Sequence, residues 1–337
     1  MNNSKRIADV GCNYLHHKKR QETERIELTP WFYYDIIKTK KRTIHAPSPE
    51  LKKVQRSILR KYFKDHWRFN SVKYAASVHC GKKWLMKLDI KDFYNSISEE
   101  QIKDVIHKYV NSSPVTSPHL YGSQSSPTTA PLLLNDNVGE GNISLAEQIF
   151  SICTINGNLP TGAPTSPYIA NLILREFDFE IEEICKNFDV NYSRYMDDLF
   201  FSTDKPQYIL SLVELEVLKQ FKELGFEVNV DKIKYISSNK RQQVLGLGVN
   251  NNKPVLTKED KRKYRTYFYN LLFPIQYSKI KQYKDHEREL LGHLAYIKSV
   301  DIDYYKRIVV YILNLINRWN INNKQCLRKL LKTLSKV

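Results

Sequence analysis

The sequence is short of cysteine, of long apolar runs and of acidic residues, and each shortage closes off a class of protein. Five cysteines in 337 residues (Cys12, Cys80, Cys153, Cys185 and Cys326) are scattered, odd in number and never spaced as CxxC. Neither a disulfide framework nor a structural zinc site is expected from such a set. No uninterrupted apolar stretch approaches the roughly 18 residues that span a bilayer. The opening MNNSKRIADVGCNYLHHKKR has charges but no apolar centre of signal-peptide type. The expectation is a cytoplasmic protein with no membrane partner. No internal repeat of solenoid length is visible. What remains, 42% hydrophobic and 12% aromatic residues, suits a globular chain of about two or three subdomains.

Acidic residues are scarce at the ends and not in the middle. The formal net charge is +17, with 17 Lys and Arg against 7 Asp and Glu in residues 1–70, 18 against 22 in 71–257, and 18 against 7 in 258–337. Two basic ends around a mildly acidic centre are the footprint of a chain whose ends hold a polyanion and whose middle holds carboxylates. The 22 tyrosines interleaved with lysines favour nucleic acid, because bases stack on aromatic faces. Solubilising lysines are the alternative.

Along the chain, residues 1–30 read as short basic helices. KTKKRTIHAPSP reads as a basic strand leaving into a proline-punctuated turn. ELKKVQRSILRKYFKDHW has apolar residues at Leu51, Val54, Ile58, Leu59 and Phe63, a helical period with a basic outer face. WLMKLDIKDFYNSI alternates as a strand, with Leu85, Lys87 and Asp89 on one face and Met86, Leu88 and Ile90 on the other. Ser98 caps the helix that follows. Residues 111–142 contain no Lys or Arg and are rich in Ser, Pro, Thr, Asn and Gly. They read as a long mobile insertion, either a spacer or a partner-binding loop. A helix at SLAEQIFSICTI, a Gly/Pro loop at GNLPTGAPTSP and one long helix at YIANLILREFDFEIEEICKNF come next. A strand–turn–strand surrounds RYMDDLFFST, a helix covers about 206–224, and QQVLGLGVNNNKPVLT is strand-like, with Asn251–Asn252 as a hairpin tip. From Lys258 onward the pattern is helical and basic; in the last run Ile308, Ile312, Leu315 and Trp319 form its core face.

The carboxylates carry the chemistry. Asp89 ends one strand, and Asp197 and Asp198 sit on a tight turn between two others. If those strands are neighbours, each like-charge pair costs about 4 kcal/mol at about 4 Å and an effective dielectric near 20. Protonation or a divalent cation relieves it. Strand-end carboxylates with room beside them suit Mg²⁺, which keeps waters and shares ligands with phosphates, and two such ions serve an in-line phosphoryl transfer. An acid–base pair for sugar hydrolysis is the competing chemistry, but it uses neither the basic ends nor the third acid. By itself an isolated Asp-Asp is more often simply a turn.

YMDD between strand-like segments resembles the catalytic signature of reverse transcriptases, and the rest of that family's pattern follows in order across residues 35–300. KKRTIHAPSPELKKVQ resembles the fingers motif of bacterial retron-type enzymes, LDIKDFYNSI the first palm motif and LPTGAPTSPYIANL the second. FEVNVDK resembles the lysine-bearing motif, and VLGLGVNNNKPVLT the primer-grip hairpin. AASVH resembles the retron NAxxH signature, with Ala76 and His79 matching and Ala75 in place of Asn. VLG resembles VTG, with Val244 and Gly246 matching and Leu245 departing. LLGHLAYIKSVD resembles the Gly-containing thumb helix of retron enzymes.

The resemblance implies roles residue by residue. Asp89, Asp197 and Asp198 correspond to acids holding two Mg²⁺ ions. Lys232 is a candidate to protonate or balance the leaving pyrophosphate, or is a surface lysine. Arg42, with Lys41 or Lys40, would clamp the triphosphate of a dNTP. Asp92 and Phe93 would lie beside the nucleotide, or Asp92 is a solvated helix-cap acid, with backbone N–H groups of 90–94 on the phosphates. Tyr94 would exclude a 2′-hydroxyl or belongs to the core. In the Gly/Pro loop Thr161 stands where the family has a Gln against the nucleotide, and Gly162 permits a close backbone approach. Ser166 and Pro167 would open the next helix. His79 contacts RNA or holds the palm from within. Gly246, Lys258, Lys261, Arg262, Lys263 and Arg265 are the nucleic-acid candidates.

The expected fold is α+β, a right-hand polymerase with fingers, an antiparallel palm sheet on helices, and a helical thumb. Its expected division is a basic extension over 1–34, fingers and palm over 35–257, and a basic thumb over 258–337. The implied function is a retron-type reverse transcriptase that copies a cognate structured non-coding RNA. It would prime from a guanosine 2′-hydroxyl to give a covalent RNA–DNA hybrid, and act in antiphage defence with a separate effector protein. The alternatives are another bacterial defence reverse transcriptase making protein-primed or untemplated DNA, and an RNA-binding scaffold without turnover.

Overall fold

The computed structural model describes residues 24–39, 43–63, 71–111, 143–272 and 283–318. The expected basic helices over 1–23, the triphosphate candidates Lys40, Lys41 and Arg42, the 112–142 segment and Trp319 lie outside them. In chain order the first elements are β1 (Arg25–Glu27), β2 (Tyr33–Lys38), β3 (Thr43–Pro47), α1 (Pro49–Ile58), α2 (Val72–Ser77), β4 (Trp84–Asp89), α3 (Phe93–Ser96) and α4 (Glu99–Asn111). Then come α5 (Leu145–Cys153), α6 (Ser166–Ile173), α7 (Arg175–Asn187), β5 (Asn191–Tyr195), β6 (Asp198–Thr203) and α8 (Tyr208–Glu223). The last are β7 (Lys234–Ser237), β8 (Gln243–Val244), β9 (Leu247–Gly248), β10 (Val255–Leu256), α9 (Lys258–Leu272), α10 (Tyr283–Val300) and α11 (Ile302–Arg318). Among the described residues no helix is long and apolar enough to cross a membrane.

Contacts divide the chain into two compact units, each discontinuous: residues 1–67 with 97–173, and 68–96 with 174–337. In the first, β1, β2 and β3 form an antiparallel sheet, so Arg25–Glu27 is a strand and not the helix expected across residues 1–30. Its pairing to β2 supplies the hydrogen bonds a short basic segment could not satisfy as an isolated helix. Helix α1 opens on Ser48, whose Oγ accepts from Leu51 N–H at 3.2 Å, with Pro49 in the first turn. It buries Leu51, Val54, Gln55 and Ile58. The amide of buried Gln55 donates to Tyr34 Oη (2.6 Å) and to the Ile152 carbonyl (2.9 Å), which ties α1 to β2 and α5. At the head of α4, Ser98 Oγ accepts from Gln101 N–H and the Gln101 side chain accepts from Ser98 N–H, a reciprocal capping box.

The single long helix expected after the Gly/Pro loop is two. Helix α6 starts at Ser166, ends at Ile173, and Leu174 (φ −87°, ψ 9°) breaks it before α7. No Gly or Pro marks the break; it falls where the chain passes from the first unit to the second.

The second unit is built on a four-stranded antiparallel sheet of order β5-β6-β4-β7. Its two faces differ. Met86, Leu88, Leu199 and Phe201 are fully buried on one face, where α7 packs on β5 and α8 on β6. On the other face, Leu85, Lys87 and Asp89 oppose Ser202, Phe200 and Asp198 in that order. Leu85 and Phe200 join a core made with β8–β10 and α9–α11, whereas Asp89 and Asp198 at the far end are only half-buried. One sheet face is thus apolar at one end and acidic at the other. In α11 Ile308, Ile312 and Leu315 are buried, as the helical period expects.

His79 belongs to the apolar end and not to an RNA surface. It is fully buried, with Nδ1 2.7 Å from Ser202 Oγ on β6 and Nε2 2.8 Å from Ser193 Oγ on β5. Two hydroxyls from adjacent strands satisfy both ring nitrogens, and burial pushes the imidazole pKa down to about 3. Because the folded pKa lies below the unfolded value near 6.5, the unfolded chain binds the proton that the folded chain refuses. Stability contributed by neutral His79 is therefore complete above about pH 6.5 and is lost as pH falls toward about 3, at most by about 5 kcal/mol. Denaturant melts of wild type and His79→Gln across that window check this: the wild-type free energy should fall more steeply with acid, and equal slopes would refute it.

Candidate active site

The acidic end of the sheet is assembled by register. β4 and β6 pair so that Asp89 lies directly opposite Asp198, and β5 and β6 pair so that Tyr195 does too. Met196 and Asp197 form the two-residue loop between β5 and β6, with Met196 at φ +57°. Positive φ at the first loop position matches the right-handed twist of a hairpin, though it is a position that favours glycine. The Asp197 carbonyl accepts from Ile90 N–H at 2.9 Å, and the Asp89 carbonyl accepts from Asn229 N–H at 2.9 Å. The three acids expected to converge therefore come from β4, the turn and β6 of one sheet.

Their charge is met by lysines. Lys87 Nζ lies 2.7 Å from Asp198 Oδ1, and Lys232 Nζ lies 2.8 Å from Asp89 Oδ2, which also accepts from the Asn229 side-chain amide at 3.3 Å. Asp197 forms no ion pair among the described residues. Burial raises its pKa, and Asp198 and Asp89 raise it further against a backbone hydrogen bond and Lys87 that lower it. Lys232 is held more firmly protonated by its bond to Asp89. The donors are hard carboxylate oxygens, the kind a divalent cation such as Mg²⁺ takes. They are not gathered in advance: among the described residues no three His, Cys, Asp or Glu side chains form a ready metal cage. The residues fit the cation in kind, with ammonium groups neutralising two of the three acids.

Lys87 and Asn229 were not among the residues expected here. Lys87 had a signal, since strand alternation sets it on the face of Asp89; its partner depends on the β4–β6 register, which the alternation does not give. Asn229 and Lys232 come from the FEVNVDK segment, where Val228 makes an isolated bridge with Ile90 and Val230–Lys232 is a short 3₁₀ turn.

Around the acids, Tyr94 follows Asp92 and Phe93. Burial raises its pKa to about 12, with Asp197 and Tyr195 adding to the rise, so its ring is a neighbour of the acidic turn. Phe93 is 5% exposed and packs on Tyr94 and Phe226; its side chain is core, which leaves only its backbone N–H as a candidate nucleotide contact. Asp92, at φ +48°, accepts from the Asn95 side-chain amide at 2.8 Å and remains exposed. The N–H groups of Ile90 and Lys91 donate to the Asp197 and Glu227 carbonyls, which narrows the expected phosphate-holding amides to residues 92–94.

Two expectations in the first unit change. Thr161 Oγ1 donates to the Thr43 carbonyl (3.0 Å) and accepts from His45 N–H (3.4 Å), so its hydroxyl fastens the Gly/Pro loop to β3 instead of facing a nucleotide. The close approach that Gly162 permits is to the same strand, because a Cβ there would stand 2.2 Å from the His45 carbonyl oxygen. The nucleic-acid candidates also separate. Lys258, Arg262, Lys263 and Arg265 are exposed on α9. Lys261 is instead paired at 2.7 Å with Asp301, which is 2% exposed, so its charge is spent inside the unit. Gly246 and Leu245 both have positive φ in the tight β8–β9 turn, so the glycine is first a backbone requirement.

Residues 18–293 match the reverse transcriptase (RNA-dependent DNA polymerase) family. Retron Ec83 reverse transcriptase of Escherichia coli is 29% identical over 299 residues, covering 81% of this chain and 86% of that protein. Retron Ec86 reverse transcriptase of Escherichia coli is 24% identical over 348 residues, covering 95% and 96%. Retron Mx65 reverse transcriptase of Myxococcus xanthus is 26% identical over 276 residues, and there the match covers 79% of this chain but 60% of the relative. With an antiparallel sheet presenting Asp89, Asp197 and Asp198 at one end, the chain belongs to the reverse transcriptase family, with the RNA-directed DNA polymerase activity of that class. Within it the chain is of retron type. Membership implies a divalent-metal-dependent polymerase acting on an RNA template and nucleotides.

The lysine compensation is testable. Lys87→Met leaves Asp198 facing Asp89 without its cation. In chelator the variant should melt lower than wild type by the equivalent of about 0.5–1 kcal/mol, and millimolar Mg²⁺ should narrow the gap. A gap that Mg²⁺ leaves unchanged would show that the lysine does not stand in for a cation.

Proposed function

We propose that this chain copies a cognate structured non-coding RNA into DNA, starting from a guanosine 2′-hydroxyl of that RNA, and yields a covalent RNA–DNA hybrid. The observation that carries the chemistry is the register that sets Asp89 opposite Asp198 with Asp197 on the adjoining turn. The similarity to retron reverse transcriptases over most of the chain supports the choice of template and primer. On the same similarity the product works in antiphage defence with a separate effector protein.

Asp89, Asp197 and Asp198 would hold two Mg²⁺ ions. Bound there, the ions would supply Lewis-acid stabilisation of the charge developing on the attacking and leaving oxygens. The chain's own residues do the rest. Asp89 and Asp197 present unshared oxygens from a rigid strand end and a pinned turn. Lys232, beside Asp89, balances the negative charge of the pyrophosphate and is the candidate to protonate it. Tyr94 places a bulky ring near the acidic turn, where it would crowd the 2′-hydroxyl of a ribonucleotide. Exposed Lys258, Arg262, Lys263 and Arg265 on α9 would track phosphates of the template and primer, and affinity should therefore fall steeply with salt. We assign the first unit to the fingers, the sheet of the second to the palm, and α9–α11 to the thumb.

Asp197→Ala should lower DNA synthesis on the order of a thousandfold or more while RNA affinity changes little. Unchanged synthesis would overturn the assignment of the acids. Chemical analysis of the product's 5′ end distinguishes the primers: an RNA branch is expected, whereas an attached amino acid or a bare end would overturn the 2′-hydroxyl. Tyr94→Ala should raise incorporation of ribonucleotides relative to deoxyribonucleotides by about 10- to 100-fold; an unaltered ratio would return Tyr94 to the core.

A further inference from the structure

We propose that Arg194 is a positioning residue for the polymerase site: its guanidinium, clamped by Asp178, holds the Met196–Asp197 turn and so fixes where the Asp197 carboxylate can point. The inference rests on the reading of Asp197 as a metal-holding acid and adds what keeps that acid in place.

Arg194 is 1% exposed and lies on β5. Its Nε and Nη2 donate to Oδ1 and Oδ2 of Asp178 on α7 at 2.8 and 2.6 Å, and Tyr192 Oη donates to the same Oδ1 at 2.7 Å. Asp178 is also 1% exposed. Stability is a poor reason for such a pair, because removing two charges from water costs several kcal/mol that their attraction only offsets. The informative bond is a third one. Arg194 Nη1 donates to the Met196 carbonyl at 3.1 Å.

That carbonyl belongs to a residue under strain. Met196 sits at φ +57°, a conformation a side-chain-bearing residue keeps only where its surroundings over-determine it. The two planar peptide units that meet at the Asp197 Cα each have their carbonyl held by a hydrogen bond from outside the turn. The Met196 carbonyl is held by Arg194, and the Asp197 carbonyl by Ile90 N–H at the end of β4 at 2.9 Å. With both planes fixed, little backbone freedom is left at Asp197. A lysine could not replace the fork, since one ammonium cannot make two parallel bonds to Asp178 and also reach Met196. Arg194 acts on the site through the turn.

The test uses the full chain. Wild type and Asp197→Asn are titrated with Mn²⁺, read by loss of the free-ion electron paramagnetic resonance signal, and assayed for DNA synthesis. Weakened Mn²⁺ binding in Asp197→Asn establishes the acid; unchanged binding overturns the metal-site reading, and the positioning role falls with it. Where the acid is established, Arg194→Lys should weaken Mn²⁺ binding about 10- to 100-fold. It should lower kcat by up to about a hundredfold and move KM for the nucleotide by less than about threefold. Tyr192→Phe, which takes a donor from Asp178 but leaves the fork, should lower the melting temperature without moving the Mn²⁺ titration. An Arg194→Lys enzyme that binds Mn²⁺ as wild type does, or a Tyr192→Phe enzyme shifted as far as Arg194→Lys, overturns the positioning role and leaves the assignment of Asp197 standing. If Arg194→Lys does not fold, Asp178→Asn carries the test: it loosens the clamp and should shift the titration about two- to fivefold, and an unshifted midpoint overturns the proposal.

Discussion

Two aspartates facing each other across an antiparallel pair repel, and much of the second unit can be understood as the arrangement that tolerates this. Asp89 and Asp198 are cross-strand neighbours, a placement that is unfavourable for like charges. Lys87 and Lys232 answer one acid each, and the third acid is raised in pKa instead. The rest of the sheet gives this end its rigidity. Met86, Leu88, Leu199 and Phe201 are sealed beneath α7 and α8, and Leu85 and Phe200 are sealed by the core of the C-terminal helices. A sheet clamped on both faces along most of its length can hold an open, charged end without fraying.

Much of this was legible in the chain, for identifiable reasons. Alternation in WLMKLD gave the correct faces of β4, and Ser98 announced α4, because both signals are local and act within a few residues. The ordered motifs identified the family because they report many positions at once. Residues whose role depends on a distant partner were opaque. His79 read either as an RNA contact or as a residue holding the fold from within, and Ser193 and Ser202 on either side of it decide for the second. Lys261 looked like one of a row of exposed cations, but Asp301 lies forty residues further on. Thr161 stood out as a departure from the family, and its hydroxyl proved to be committed to β3. The break at Leu174 carries no Gly or Pro; it coincides with the division between the two units, a long-range feature that no local residue announces.

The same contrast separates two kinds of buried polar group. His79 is neutral and satisfied by two hydroxyls, so it joins the turn after α2 to β5 and β6 at no cost in charge. Arg194 and Asp178 keep full charges in the interior, a costlier choice, and their surplus N–H reaches the one turn whose geometry the chemistry needs. One is a fastening of the fold, the other a fastening of the site.

The strand order β5-β6-β4-β7 also has a bearing on how the protein comes into being. The partners of β4 lie roughly 110 and 150 residues later in the chain, and long-range pairings of this kind fold slowly. On the ribosome, β4 is made well before either partner has emerged, so both its edges stay unpaired while α4, α5 and α6 are synthesised. Its apolar residues then depend on local collapse or a chaperone for shelter. The acids meet only when β6 docks. A nascent or truncated chain therefore has the first unit's segments but no assembled site, and polymerase competence is among the last properties the folding chain acquires.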